Sequence, residues 1–181
     1  MQKEVIETER LLLRKFKRDD AFMMYVNWAS DPEVTRYLTF SPHENVGVTQ
    51  MIIDKWIDEY QKEETVRYCI TIKGNDEPIG SIDIVNIFDN IPEIGYCLSR
   101  KHWNKGYMSE ACNALVHYLF ELGYKKICIC ANVNNIGSNR VIQKCGLKLT
   151  KQFEKEIKGH TELINCYIIR NNFFKKEEDC A

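Results

Sequence analysis

The run from Trp103 to Ala111 is the part of the chain whose residues and spacing point most directly to chemistry. A strand-like segment, 93–98, precedes it, Gly106 stands at the turn, and apolar residues then recur at helical spacing. The first N–H groups of a helix have no partner within the helix, and the helix dipole adds partial positive charge there. Because glycine lets a ligand approach the backbone closely, this corner is predicted to bind an anion such as a pyrophosphate.

The run differs from two common phosphate-binding motifs, since neither G-x-x-x-x-G-K-[ST] nor G-x-G-x-x-G occurs in the chain. It resembles motif A of the GNAT acetyltransferases, which binds the pyrophosphate of acetyl-CoA. The similarity is to the form W-x-K-G-Y-x-[ST]-E-A found in the Rim-type branch, whose members modify the N-termini of ribosomal proteins. Gly106 fits the usual GNAT motif, while Trp103 and Met108 occupy its flanking positions.

Three further segments resemble the same branch in order and spacing. T-E-R-L-L-L-R at 8–14 is similar to its opening strand, and D-P-E-V at 31–34 is similar to its early helix. The segment 135–147 resembles motif B, N-x-x-S-x-x-V-x-E-K-x-G-F. The resemblance covers the chain from Thr8 to about Tyr167, so the protein is identified as a member of the GNAT superfamily, Rim-type branch.

The length of 181 residues favours a single domain, 1–181, with a frayed tail at 172–181. The residue patterns predict helices within 19–29, 31–38, 46–62, 107–122 and 137–145, and strands near 10–16, 67–73, 79–88, 92–98, 126–132, 147–156 and 162–171. Residues 74–77 are predicted to form a hairpin turn, and the crossover 92–132 makes its two strands parallel. The resemblance implies a single-domain GNAT fold of class α/β (α+β). Its sheet is mixed and mostly antiparallel, with a splayed central parallel pair and helices on both faces.

Charge is spread unevenly along the chain, although the net charge is only −1. Residues 99–151 hold nine basic and two acidic side chains, a net of +7, so the remainder carries −8. Both motifs lie in the basic segment, as a polyanion site requires, and the acidic remainder suits an amine or a basic peptide. Clustering of charge on solvated faces is the alternative. An isoelectric point near 6.4 and the lack of an aromatic-interleaved basic stripe argue against nucleic acid.

The sequence also predicts where the protein is located and whether its cysteines are reduced. No apolar run approaches the length of a membrane span, and Met1 to Glu4 lack the basic and apolar regions of a signal peptide, so the cytoplasm is predicted. The cysteines lie in apolar strand or helix patterns and are expected to be reduced core residues. Neither the cysteines nor the histidines show metal-ligand spacing, so no metal is predicted. We expect a monomer or a homodimer.

The resemblance implies acetyl-CoA as the co-substrate. In the GNAT fold the strand before motif A separates from the next parallel strand, and the pantetheine arm bonds to backbone in the gap. The residues expected to bind the co-substrate are Tyr96, Cys97, Leu98, Trp103, Asn104, Lys105, Gly106, Tyr107, Met108, Ser109, Asn135, Ser138 and Lys144. Several of them have alternative roles: Trp103 as a cap on the core, Lys105 as a solvated loop residue, Asn135 as an amide that holds the turn, and Lys144 as a ligand of the 3′-phosphate or a surface residue.

Two catalytic residues are proposed by the same resemblance, because a neutral amine attacking a thioester must lose a proton while the thiolate leaves. Glu93 occupies the place from which some relatives draw a general base through water, and Glu154, Glu156 and Glu162 are rivals for that role. Many GNAT enzymes place a tyrosine where this chain has Ile142. Ser138 matches the residue thought to serve this purpose in the Rim-type branch, so the resemblance implies that it is the acid; alternatively it is an N-terminal capping hydroxyl of its helix.

The predicted function is acetyl-CoA-dependent N-acetyl transfer to a primary amine, by direct attack in a ternary complex. The acceptor is expected to be a protein N-terminus or a small amine. A thiol acyltransferase with Cys97 as nucleophile and His102 or His117 as its partner is one alternative. A non-catalytic acyl-CoA-binding sensor is the other, because binding and positioning use the same residues.

Overall fold

The computed structural model describes residues 3–62 and 64–171, and the predicted frayed tail lies outside them. The strands are β1 Val5–Glu7, β2 Leu11–Arg14, β3 Arg67–Ile72, β4 Asn75–Phe88, β5 Ile91–Leu98, β6 Lys126–Asn132, β7 Lys148–Ile157 and β8 His160–Arg170. The helices are α1 Asp20–Met24, α2 Pro32–Thr35, α3 Val46–Glu59, α4 Tyr107–Glu121 and α5 Ile136–Lys144. A π-helical turn, Tyr25–Ala29, continues α1, and a 3₁₀ turn, Arg100–His102, follows β5. Within the described ranges no helix has the length and apolar character needed to cross a membrane.

One eight-stranded sheet organises the chain, in the order β1-β2-β3-β4-β5-β6-β8-β7. Neighbouring strands are antiparallel except β5 and β6, which are parallel. These two strands share a single register position, Glu93 opposite Cys128, and separate beyond it. The mixed, mostly antiparallel sheet with a splayed parallel pair is therefore confirmed.

Helices cover both faces of this sheet, because strand side chains alternate between them. On β3, Tyr68 and Ile70 lie in the core that contains α4, where Leu115 and Leu119 are fully buried. Cys69, between them in sequence, lies in the second core formed with α1 and α3. Each fully buried leucine contributes about 1.5–3 kcal/mol to stability, so the stripe on α4 holds that helix firmly against the sheet.

The hairpin turn between β3 and β4 differs from the prediction. Ile72 lies opposite Asn75, so the turn consists of Lys73 and Gly74, whose φ is +82°, and residues 75–77 belong to β4. This polar end of the strand is held by tertiary contacts that the sequence does not show. Arg14 donates to Asp76 (2.5 Å) from β2.

Short elements account for the other differences. β1 was not predicted because only its central residue, Ile6, is buried, which leaves no periodic pattern to detect. α2 ends at Thr35 rather than near residue 38. Asp31 caps α2 by accepting the N–H of Glu33 (2.9 Å), as its position before Pro32 favours.

Candidate active site

The N-terminus of α4 presents unpaired N–H groups, as the motif predicts. Its N-cap is Gly106, with φ of +80°, and the preceding Asn104 also has a positive φ of 60°. α3 and α5 begin differently, because Asn45 and Asn135 each accept an N–H from the first turn. Among residues 3–62 and 64–171, no side chain accepts from the first-turn N–H groups of α4. The corner therefore has the free donors and the positive dipole end that an anion requires.

Gly106 is suited to this corner by its conformation and its surroundings. A Cβ atom added there would lie 3.4 Å from Nη2 of Arg10, and an L-residue is strained at this φ. Apart from Gly106 and its two chain neighbours, no other heavy atom of the described residues lies within 4 Å of that Cβ position, which leaves room for a phosphate group. The predicted binding of a pyrophosphate at this backbone is compatible with that space.

The loop between β5 and α4 is tied to the end of β5 by Trp103. Its indole Nε1 donates to the carbonyl of Leu98 (2.8 Å), while 41% of the residue stays exposed. Trp103 thus ties the loop to the strand, and it is not among the described residues that form the two cores, so the suggested role as a cap on the core is not observed. Contact of its exposed face with the co-substrate stays a prediction, as it does for the exposed Lys105.

Two hydroxyl groups link β5 to α5, the helix that follows β6. The phenol of Tyr96 on β5 and the hydroxyl of Ser138 on α5 share a hydrogen bond of 2.9 Å, and the phenol also lies 3.3 Å from the Ser138 carbonyl. Burial raises the pKa of Tyr96 well above its ordinary value, so the phenol keeps its proton at neutral pH. The pair can therefore donate a proton but cannot supply a phenolate.

The capping role considered for Ser138 belongs to Asn135 instead. Asn135 is the N-cap of α5, and its side chain accepts the N–H of Ser138 (3.1 Å). The Ser138 hydroxyl is thereby left for Tyr96. Asn135 acts as the amide that holds the turn, and its contact with the co-substrate remains a prediction. Ile142, at the position of the tyrosine in other GNAT enzymes, is fully buried in the core.

A buried amide, Asn139, fixes the first turn of α5 against the sheet. Its Nδ2 donates to the carbonyls of Asn132 (2.9 Å) and Asn135 (2.8 Å). Its Oδ1 accepts from Asn165 (2.8 Å) and from the hydroxyl of Tyr167 (2.7 Å). Since buried polar groups of this kind are costly to leave unpaired, the network fixes where Ser138 lies.

The far end of α5 reaches the anion corner. The thiol of Cys145 donates to the carbonyl of Ser109 in the first turn of α4 (3.6 Å). Lys144, the residue before Cys145, is exposed in the last turn of α5. α5 therefore extends from the hydroxyl pair at one end to the N-terminus of α4 at the other.

Glu93 approaches the gap from the opposite face of the sheet. Ile94 is buried in the core with α4, and the alternation of strand side chains places Glu93 on the other face. In the part of the chain that the structure describes, its carboxylate makes no hydrogen bond or ion pair. The structure thus does not bring Glu93 and Ser138 into contact. They border the gap from its two sides.

The other candidates for proton acceptor and nucleophile have different surroundings. Glu162 accepts from the amide of Asn132 (2.7 Å), whereas Glu154 and Glu156 are exposed on β7. Burial raises the pKa of the Cys97 thiol to about 11. That thiol lies 3.2 Å from the hydroxyl of Ser81, with no histidine bonded to it among the described residues. A thiolate nucleophile is therefore not favoured at this position.

Two side-chain contacts in the site could not be read from the sequence: the hydrogen bond between Tyr96 and Ser138, although Tyr96 is among the residues expected to bind the co-substrate, and the network of Asn139. The alternation of Ile94, Tyr96 and Leu98 predicts a core-facing row, and nothing in it distinguishes a packed tyrosine from one whose hydroxyl reaches a helix. Asn139 lies inside motif B, but its partners are on distant strands. The sequence shows only that Asn139 lies one helical turn before the apolar Ile142, which indicates that Asn139 faces the core.

Comparisons with known proteins agree with this geometry. The family described as "Acetyltransferase (GNAT) domain" matches residues 10–148. The chain is 38% identical over 119 residues to the N-acetyltransferase p20 of Bacillus licheniformis, covering 65% of this chain and 66% of p20. It is 31% identical over 147 residues to the N-acetyltransferase YoaA of Bacillus subtilis, covering 80% of this chain and 82% of YoaA.

Solved structures share the fold. A GNAT-family acetyltransferase from Bacillus anthracis superposes with a TM-score of 0.81 at 27% identity, covering 92% of this chain and 98% of that one. RimL, a ribosomal L7/L12 α-N-protein acetyltransferase, superposes with a TM-score of 0.82 at 19% identity, covering 93% of this chain and 94% of RimL, which shows the fold alone. The family and fold that the motifs predict are confirmed. The chain belongs to the GNAT family of acetyltransferases and is an N-acetyltransferase.

Proposed function

We propose that this protein transfers an acetyl group from acetyl-CoA to a primary amine by direct attack within a ternary complex. The acceptor is either the N-terminus of a protein or a small amine. One observation carries the proposal: α5 contacts the uncapped N-terminus of α4 at one end and holds the hydroxyl of Ser138 against Tyr96 of β5 at the other. Binding of the co-substrate is supported by two structural neighbours, RimL solved with coenzyme A and MccE solved with acetyl-CoA and AMP.

Binding divides between two sets of backbone groups. The N–H groups from Gly106 to Ser109 receive the pyrophosphate, and Lys105 adds positive charge beside them. Beyond Glu93, the backbone of β5 has no register partner on β6, so its free groups can accept the pantetheine arm as a sheet edge accepts an added strand. Holding both reactants in this way can account for about 7–11 kcal/mol of barrier lowering.

When bound, acetyl-CoA supplies the thioester carbonyl that the amine attacks. A C–N bond forms, the C–S bond breaks, and one proton must pass from the amine nitrogen to solvent while another reaches the thiolate. Ser138, held by Tyr96, donates its proton to the departing sulfur from the face of α5 and regains a proton from solvent. Glu93 accepts the amine proton through water from the opposite face. Each proton transfer contributes about 10²–10⁴-fold to the rate.

The direct test is a panel of amines assayed with acetyl-CoA for free thiol and for acetylated product by mass spectrometry. The panel contains peptides with free N-termini, the same peptides with blocked N-termini, polyamines and aminoglycosides. Release of thiol that depends on a primary amine, with matching product, is the expected result. Tight binding of CoA without thiol release from any amine would instead indicate the sensor. The cytoplasmic location and the monomeric or homodimeric state stay predictions of the sequence.

A further inference from the structure

Arg10, which precedes β2, contacts the anion corner at several points. Its Nη1 donates to the carbonyl of Lys105 (3.0 Å), and its guanidinium lies over the ring of Tyr107, 4.6 Å from the centroid. Its Nε and Nη2 both lie 2.7 Å from Oε2 of Glu110. One side chain thus holds the turn before Gly106 and the first residues of α4 together.

Glu110 creates an electrostatic problem at this corner. It is the acidic residue of the first turn of α4, close to where a pyrophosphate would lie. Burial alone would raise the pKa of Glu110, but hydrogen bonds from Thr8 and from Arg10 lower it below its ordinary value. The carboxylate is therefore ionised at neutral pH, and its charge opposes that of the ligand.

The contacts of Arg10 neutralise this charge and keep the carboxylate occupied. Oε1 of Glu110 accepts from the hydroxyl of Thr8 (2.6 Å) and from the backbone N–H of Arg10 (2.8 Å). Oε2 faces the guanidinium, so both oxygens are directed toward the segment before β2. The first-turn N–H groups consequently have no competing acceptor from this side chain.

We infer that Arg10 is a positioning residue for the co-substrate: it offsets the charge of Glu110 and holds the Lys105 carbonyl, so that the N-terminus of α4 can bind pyrophosphate. The inference rests on the proposed function. It assigns to the conspicuous first arginine of T-E-R-L-L-L-R a role in binding rather than only in the start of a strand. Arg10 itself is not expected to touch the reacting atoms.

The test measures the affinity for CoA by calorimetry, which does not require turnover. Arg10→Ala is expected to weaken CoA binding about 5- to 30-fold, most strongly at low ionic strength, because an uncompensated carboxylate remains beside the ligand. Adding Glu110→Gln to Arg10→Ala should restore most of the affinity, since it removes that charge. Glu110→Gln alone should bind CoA as tightly as the unchanged protein or more tightly.

A matched control lies at the other end of the same helix. Lys3 forms an ion pair with Glu121 (2.6 Å), which ties the segment before β1 to the C-terminal end of α4. Lys3→Ala removes a comparable tether and should leave CoA affinity unchanged. If Arg10→Ala does not fold, Arg10→Lys is the second variant. A lysine keeps the positive charge but cannot bond Glu110 and the Lys105 carbonyl at once as the guanidinium does, so it should weaken CoA binding by less than fivefold.

Two results would overturn the inference. The first is unchanged CoA affinity in Arg10→Ala. The second is an equal loss in Arg10→Ala and in its combination with Glu110→Gln, because a purely structural tether gives no rescue by removal of charge. Failure of the proposed function is distinguishable, since it appears as absence of acetyl transfer by the unchanged protein, whatever the CoA affinities of the variants.

Discussion

Gly106→Asp is expected to remove the stabilisation of the protein by CoA. The substitution puts a side chain at a φ of +80° and adds a negative charge at the N-terminus of α4, where the pyrophosphate is predicted to bind. The strain of the left-handed conformation costs about 1–2 kcal/mol. For a domain of this size each kcal/mol changes the melting temperature by about 2–4 °C, so the variant alone should melt about 2–8 °C lower.

The response to ligand is the more telling quantity. A ligand at about 100 times its Kd stabilises the folded state by about 2.7 kcal/mol, which corresponds to about 5–11 °C. If the new carboxylate weakens binding about 100-fold, the same concentration contributes only about 0.4 kcal/mol, close to 1 °C. Thermal unfolding with and without CoA measures both quantities.

Gly123→Asp provides the matched control at the other end of α4. Its φ is +93° and no heavy atom lies within 4 Å of its Cβ position, so the backbone strain is similar. This variant should lose stability but keep the full response to CoA. A Gly106→Asp protein that folds and still shows the full CoA shift would refute the assignment of the pyrophosphate site.

Three further predictions follow from the same structure. Glu93→Gln should lower kcat/KM most at acidic pH, where the substrate amine is largely protonated, and pH profiles that stay parallel to that of the unchanged enzyme would exclude Glu93 as the base. Asn139→Leu should reduce the free energy of unfolding in urea by about 2–4 kcal/mol, because the partners of its buried amide are left unpaired, whereas the exposed Asn113→Leu should change it by less than about 0.5 kcal/mol. Burial lowers the pKa of His43 in the folded protein below its ordinary value of 6.5. Below pH 6.5 the unfolded chain therefore binds more protons at this residue than the folded protein does. The stability that the neutral His43 contributes is present above pH 6.5 and is lost as the pH falls through the folded pKa. His43→Gln should therefore show a smaller drop in melting temperature than the unchanged protein between about pH 7 and about pH 5, and equal drops would contradict the assignment.

The sequence predicts those parts of the site that depend on local geometry. Gly106 lies where a strand, a turn and a helix follow one another, and this backbone arrangement alone predicts an anion site at the N-terminus of α4. The same strand–helix–strand crossover predicts that β5 and β6 are parallel. Periodicity also locates α4, because its buried stripe repeats over several turns. These features depend on neighbours in the chain, so the sequence carries them.

Side-chain roles that depend on tertiary contacts could not be predicted in the same way. The hydroxyl of Tyr96 meets Ser138 from 42 positions away, and Arg10 meets Glu110 from 100 positions away. The sequence leaves two roles open for Ser138, that of a proton donor and that of a capping hydroxyl. Only the position of Asn135 as the N-cap of α5 removes the capping alternative.

The central claim is that acetyl transfer takes place at the gap where Tyr96 and Ser138 meet. It is tested most directly by measuring kcat for Ser138→Ala beside its affinity for CoA, with the amine that gives the fastest thiol release. The predicted result is a fall in kcat of about 10²-fold with CoA affinity almost unchanged, because a hydroxyl used to protonate the leaving thiolate adds little to ground-state binding. An unchanged kcat in a folded Ser138→Ala protein would contradict the claim.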